Sequence, residues 1–158
     1  MTPEQAQALR DLLARQPVAA LATLHEGEPA VSMVPCALLP DGRFVIHVSA
    51  LASHTADMRD HPEVALLITA PLAAGESPLA LPRLSVRGRA EVCPVGAPDH
   101  DVARAAYLAR LPESEELFSF GDFSLFVISV LSARFVGGFA QARSLTAAGF
   151  ADIVAGRA

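Results

Sequence analysis

This sequence predicts a mainly β (α+β) fold, an antiparallel barrel of six to seven strands with a few peripheral helices. Three observations carry that expectation. Short apolar runs recur along the chain, tight turns rich in Gly, Pro and Asp separate them, and the early connections are too short for the crossovers that parallel strands require. Its 158 residues suit a single domain over 1–158, with a core from about 5 to 145.

The elements follow in order. Thr2, Pro3 and Gln5 form a helix start with a capping box, and Leu9, Leu12 and Leu13 share one face, so a helix is expected from about 3 to 15. Pro17 ends it. Val18 to Leu24 and Ala30 to Leu38 are apolar runs around the turn His25–Glu28, a hairpin, and Pro40-Asp41-Gly42 leads into a third strand from Arg43 to Ser49. Ser53 then caps a short helix closed by His61-Pro62, and Glu63 to Thr69 is a strand. Pro71 to Pro82 reads as a surface loop. From Arg83 to Val92 the residues alternate, with Leu84, Val86, Gly88 and Ala90 on one face and Arg83, Ser85, Arg87 and Arg89 on the other. A helix from Pro98-Asp99 to Arg110, a helical turn from Glu113 to Phe120, and strands at Leu125–Val130 and Ala133–Phe139 complete the chain.

Composition excludes several functions. Hydrophobic residues make up 52% and charged residues 18%, which indicates an ordered core, with apolar surface left for a partner subunit. A net charge of −5 does not supply the positive field that nucleic acids require. Every basic residue is Arg, which removes Schiff-base chemistry on lysine. Cys36 and Cys93 lie far apart and signal neither a disulfide framework nor a zinc site, so no metal is expected. No basic-then-apolar leader is visible, and no apolar run approaches the roughly 20 residues that span a bilayer. A cytoplasmic protein without membrane or nucleic-acid partners is the expectation. The parts that define zinc proteases, phosphate-loop nucleotidases and serine esterases, HExxH, Gly-Lys-Ser/Thr and GxSxG, are absent.

The most informative segment follows the third strand. Ser49, Ser53 and Thr55 offer hydroxyls beside free N–H groups at a helix start, the arrangement that receives an anion or phosphate, and His54 adds a donor that charges at mildly acidic pH. On spacing alone the plainer alternative, a capping Ser53 and a solvated His54, is the stronger. Arg83, Arg87 and Arg89 offer a second anion contact, or a ladder paired with acids. His47 reads as a satisfied, partly buried strand residue, and His25 and His100 as turn residues. Gly137-Gly138 permits close backbone approach, either to a cofactor or to a neighbouring strand.

A series of stretches, each modest alone, resembles the pyridoxamine-phosphate-oxidase-like flavin-binding split barrels, and most closely their haem-utilisation branch. These are Ala20-Leu-Ala-Thr-Leu24, Val31-Ser-Met-Val-Pro-Cys-Ala37, Val48-Ser-Ala-Leu-Ala-Ser-His-Thr55, His61-Pro-Glu-Val-Ala-Leu66, Arg83-Leu-Ser-Val-Arg-Gly-Arg-Ala90, Phe120-Gly-Asp-Phe123 and Ala133-Arg-Phe-Val-Gly-Gly-Phe139, in the family's order. The resemblance implies a split barrel that forms a homodimer with two FMN sites at the subunit interface. Ser32, Met33 and Val34 would line the ring system, Ser49 and Ala50 approach the ribityl phosphate, and Ser53, His54 and Thr55 hold the phosphate, with Arg83 supplied by the partner. It thereby favours the anion site over the plainer alternative.

Two departures from the family shape the functional expectation. The oxidase proper has basic residues at the positions of Ser32, His54 and Thr55, so oxidation of pyridoxamine phosphate itself is not expected. Haem-degrading members carry a ligand His in a C-terminal extension, whereas no His follows Gly138 here. The leading expectation is an FMN-binding flavoprotein, an oxidoreductase acting on an unidentified small molecule, with the flavin supplying the redox chemistry. The alternatives are a haem-binding or haem-utilisation protein using the same interface, and a non-catalytic ligand-binding dimer. No acid, base or nucleophile is identified.

Overall fold

A computed structural model describes residues 1–157 and contains four α-helices and eight strands. Helix α1 (Pro3–Arg15) begins with the expected capping box: Gln5 N donates to Thr2 Oγ1, and Thr2 N donates back to Gln5 Oε1. Strands β1 (Val18–His25) and β2 (Glu28–Pro35) form the hairpin, turned through Glu26 at φ 52° and Gly27 at φ 84°. Two successive positive φ values match the twist of the flanking strands. The expected run to Leu38 is interrupted at Cys36, whose N–H turns back to the Pro17 carbonyl; a short β3 (Ala37–Leu38) then pairs with β4 (Phe44–Ser49).

Helix α2 (Ser53–Asp60) starts one residue earlier in its capping than expected. Ala52 is the N-cap, Ser53 is already helical, and no side chain caps the first turn. Strands β5 (Glu63–Thr69) and β6 (Arg83–Val92) and helix α3 (His100–Arg110) fall where expected. The two expected late strands are instead one, β7 (Phe123–Val136). Nothing between Val130 and Ala133 forms a turn. Leu131 instead bulges out where β6 pairs Arg87 with Ser132 and Gly88 with Val130. Strand β8 (Ala142–Thr146) and helix α4 (Ala147–Val154) lie beyond the expected elements, α4 being capped by Thr146 accepting from Gly149 N.

The antiparallel sheet runs β2-β1-β5-β6-β7-β4-β3, with β8 also on β7. Long β7 therefore has β6 along one side, and β4 then β8 along the other. The sheet curls until β2 touches β4 with no ladder between them, which is the split in the barrel. Inside lie Leu21, Phe44, Ile46, Leu66, Ile68, Leu84, Phe126 and Phe135, closed off by Leu9 of α1 and by Phe150 and Ile153 of α4. A second core under α3 takes Val45, Leu125, Val127, Ala103 and Tyr107. With both faces covered, β4 loses the alternation of a half-exposed strand. Among the described residues no helix is long and apolar enough to cross a membrane.

Candidate functional site

The split between β2 and β4 is closed by α2, and most of the residues singled out in the sequence meet there. Ser49 ends β4, and Thr55, 1% exposed, donates its hydroxyl to the Ser49 carbonyl at 2.6 Å. That bond ties α2 to the strand end and commits the Thr55 proton to structure. The Ser49 hydroxyl accepts from Leu51 N at 3.1 Å and donates to Asp122 Oδ2 at 2.9 Å, while Ala50 N donates to the Asp122 carbonyl at 2.6 Å. Ser53 and His54 open an uncapped helix, so their N–H groups face outward without intrahelical acceptors.

Across the split, Ser32 Oγ lies 3.1 Å from His54 Nδ1. Burial pushes the His54 pKa down, partly opposed by the Asp57 carboxylate, so the imidazole is neutral at pH 7. Its second ring nitrogen has no protein partner among the described residues. Met33 points to the other side of the sheet and is 66% exposed, whereas Val34 is buried in the core. The strand period of two separates these neighbours, so the three β2 residues do not line one surface.

Arg83 stands apart. It pairs with Val136 at one end of β7, while Ser49 pairs with Phe123 at the other, a separation of roughly 40 Å along the strand at about 3.3 Å per residue. Arg83 instead donates to the Leu81 carbonyl at 3.0 Å. A single copy of the chain does not bring Arg83 to Ser49.

Two features escaped the sequence. Asp122 lies in the Phe120–Phe123 stretch but gave no sign that its carboxylate turns toward Ser49, distant in sequence. Behind the site, buried Asp57 accepts from Thr23 Oγ1 at 3.0 Å and pairs with His25 Nδ1 at 2.7 Å. The His25 bond holds the Asp57 carboxyl below its ordinary range, and Asp57 in turn raises His25. This triad fastens α2 to β1, and His25 is a docking residue rather than an idle turn residue.

On the opposite side, the exposed sheet face presents Val31, Met33 and Leu67, and a groove of about 500 Å³ there is lined by Val31 and Leu67 and by small residues such as Ala20, Ala22 and Ser132. Arg87 and Arg134 border it.

Known proteins share this fold. A chloroplast heme oxygenase, HOZ, of Arabidopsis thaliana is 37% identical over 118 residues, which are 75% of this chain and 35% of the relative. This chain thus spans about a third of that protein's length. The heme binding protein of Mycobacterium smegmatis superposes with a TM-score of 0.84 at 35% identity, over 96% of this chain and 61% of that one. A FAD-binding protein of Mesorhizobium loti shares the fold with a TM-score of 0.65 at 20% identity, over 81% of this chain and 89% of the other. Residues 5–137 match the pyridoxamine 5'-phosphate oxidase family, spanning the barrel from α1 to the end of β7, and the chain belongs to that family.

Proposed function

We propose that two copies of this chain bind haem in the cleft between β2 and α2 of one copy and β6 of the other. One observation carries the choice of cofactor: the His54 imidazole, oriented by Ser32 and with its second ring nitrogen free. Asp122 places a carboxylate against Ser49, where the resemblance would seat the FMN phosphate, and His54 is held neutral by burial. Neither Lys nor Arg is bonded to Ser49, Ser53, His54 or Thr55 among the described residues. That carboxylate weighs against a phosphate at Ser49 itself, as it does against a haem propionate there. A neutral imidazole with one free nitrogen suits iron, which binds the neutral ring through its unprotonated nitrogen. Haem brings its own redox chemistry; this chain supplies the cleft, the His54 imidazole oriented by Ser32, and apolar strand surface. The relatives named for haem stand at 35% and 37% identity, which supports the same choice.

FMN is the second reading, favoured by the uncapped first turn of α2, whose N–H groups remain available to an anion. It carries with it an oxidoreductase acting on a small molecule. The discriminating experiment is a pair of absorption titrations of the whole protein, one with haem and one with FMN. Saturable haem uptake at one per protomer, weakened at least roughly tenfold by His54→Ala, supports the first reading. Tight FMN uptake with no saturable haem uptake replaces it with the second.

A further inference from the structure

Between α1 and α3, a cleft of about 490 Å³ is lined mainly by aliphatic side chains, among them Leu38, Ile68 and Val154, with Phe44 as its one aromatic wall. That volume is in the range of small-molecule sites. Phe44 and Ile68 belong to the barrel core, so the cleft reaches inward between the helices. Two guanidiniums stand on its lining, Arg10 of α1 and Arg110 of α3, and among the described residues no Asp or Glu joins them there. Arg10 donates to Gln7 Oε1 at 2.8 and 3.2 Å and to the Ile153 carbonyl at 3.3 Å. Arg110 donates to the carbonyls of Ala14 and, at 3.2 Å, Leu13. Bonds to uncharged oxygens orient both heads without neutralising them, and they leave N–H donors unused on each. Neither arginine makes an ion pair among the described residues, whereas Arg43, Arg89 and Arg157 all do. Asp11, beside Arg10 in sequence, accepts from Gln7 Nε2 instead. Burial pushes the thiol of Cys36, on the cleft wall, up to about 11, and the Arg110 charge acts against that shift, so this charge is felt at the wall.

Two requirements converge on one ligand class. The guanidiniums ask for an anion, and their planar forks match a carboxylate. The aliphatic walls ask for a body that is apolar and flexible, because they offer it few polar partners and a single ring to stack on. We infer that this cleft is a second ligand site that takes a medium-chain aliphatic monocarboxylate, its chain against Leu38, Ile68 and Val154 and its head on Arg10 and Arg110. The cleft shares none of the residues Ser32, Ser49, His54 and Thr55 with the cofactor site, so the two proposals stand or fall separately.

Calorimetric titration of the full chain with hexanoate, octanoate and 1-octanol, all below micelle formation, tests it. The expected result is saturable binding of octanoate at one per protomer, with affinity rising about fourfold for each methylene added from hexanoate, as burial of a hydrocarbon chain requires. Octanol, which lacks the charge, should bind at least roughly tenfold more weakly than octanoate. Arg10→Gln and Arg110→Gln should each weaken octanoate at least roughly tenfold, the loss of one charge-assisted hydrogen bond. Arg110 also holds the last carbonyls of α1, so Arg10→Gln carries the test if Arg110→Gln does not fold. Absence of saturable octanoate binding, equal affinity for octanol, an affinity indifferent to Arg10→Gln, or displacement of octanoate by haem or FMN would overturn the assignment.

Discussion

Asp122 decides which anion the end of β4 tolerates, and a single atom change reads it. Replacing it as Asp122→Asn removes the charge and keeps the shape, so FMN binding should strengthen by about fivefold, the equivalent of ~1 kcal/mol for a like-charge contact near water. Haem binding should not change. Calorimetry with both cofactors measures the difference, and an FMN affinity indifferent to the substitution would move the phosphate elsewhere. His47 gives a pH signature. Burial, with His100 nearby, pushes its pKa down to about 4 from 6.5, so the unfolded chain takes up a proton that the folded chain refuses. Stability from this residue is full above 6.5 and is lost as pH falls toward 4. Thermal melts between pH 7 and pH 4 should therefore fall less steeply in His47→Phe than in the wild type. The sequence marked Ser49, Ser53, His54 and Thr55 correctly as neighbours, because they lie within one strand–helix junction. It did not reveal Asp122 or the Asp57–His25–Thr23 triad, whose members meet only through folding, and it took His47 for a satisfied residue because solvation leaves no trace in spacing.

Among the elements, β7 holds the molecule together, since it pairs with three other strands. Its register with β6 depends on a close approach at Gly88, where an added Cβ would sit 2.7 Å from Ile128 Cγ2 and 2.9 Å from the Ser129 carbonyl oxygen. Gly88→Ala should destabilise the fold by about 1–3 kcal/mol through overpacking at the bulge. A chemical denaturation midpoint equal to the wild type would contradict this. Elements with local signals were legible: the capping box of α1, the hairpin at Glu26-Gly27, and the alternation of β6 all come from neighbours in sequence. The continuity of β7 was not, because Leu131 and Ser132 look like a break until β6 and β8 are laid beside them. Helix α4 was missed for a related reason. Its apolar face exists to seal the barrel, with Phe150 fully buried and stacked on Phe44 at 6.0 Å, and that partner lies far back in the chain.

At the scale of the whole molecule, the proposed function calls for a second copy. The outer sheet face leaves Val31, Met33 and Leu67 in water, and Arg83 lies at the far end of β7 from Ser49. The proposed second copy, laid on this face, would cover those side chains. Met33→Asp puts a charge on this face, where the proposed interface would desolvate it without a partner, and should convert the proposed dimer to a monomer while leaving the fold intact. The barrel class and the family were legible in the sequence because the turn pattern and ordered motifs are properties of one chain. Pairing between chains is not. The most direct test of the account is sedimentation of the haem-loaded wild type and Met33→Asp, following protein and haem absorbance together. The account predicts that haem travels with a wild-type dimer at one per protomer and is left behind by the monomeric variant. A monomer that keeps wild-type haem affinity, or a dimer that carries none, would contradict it.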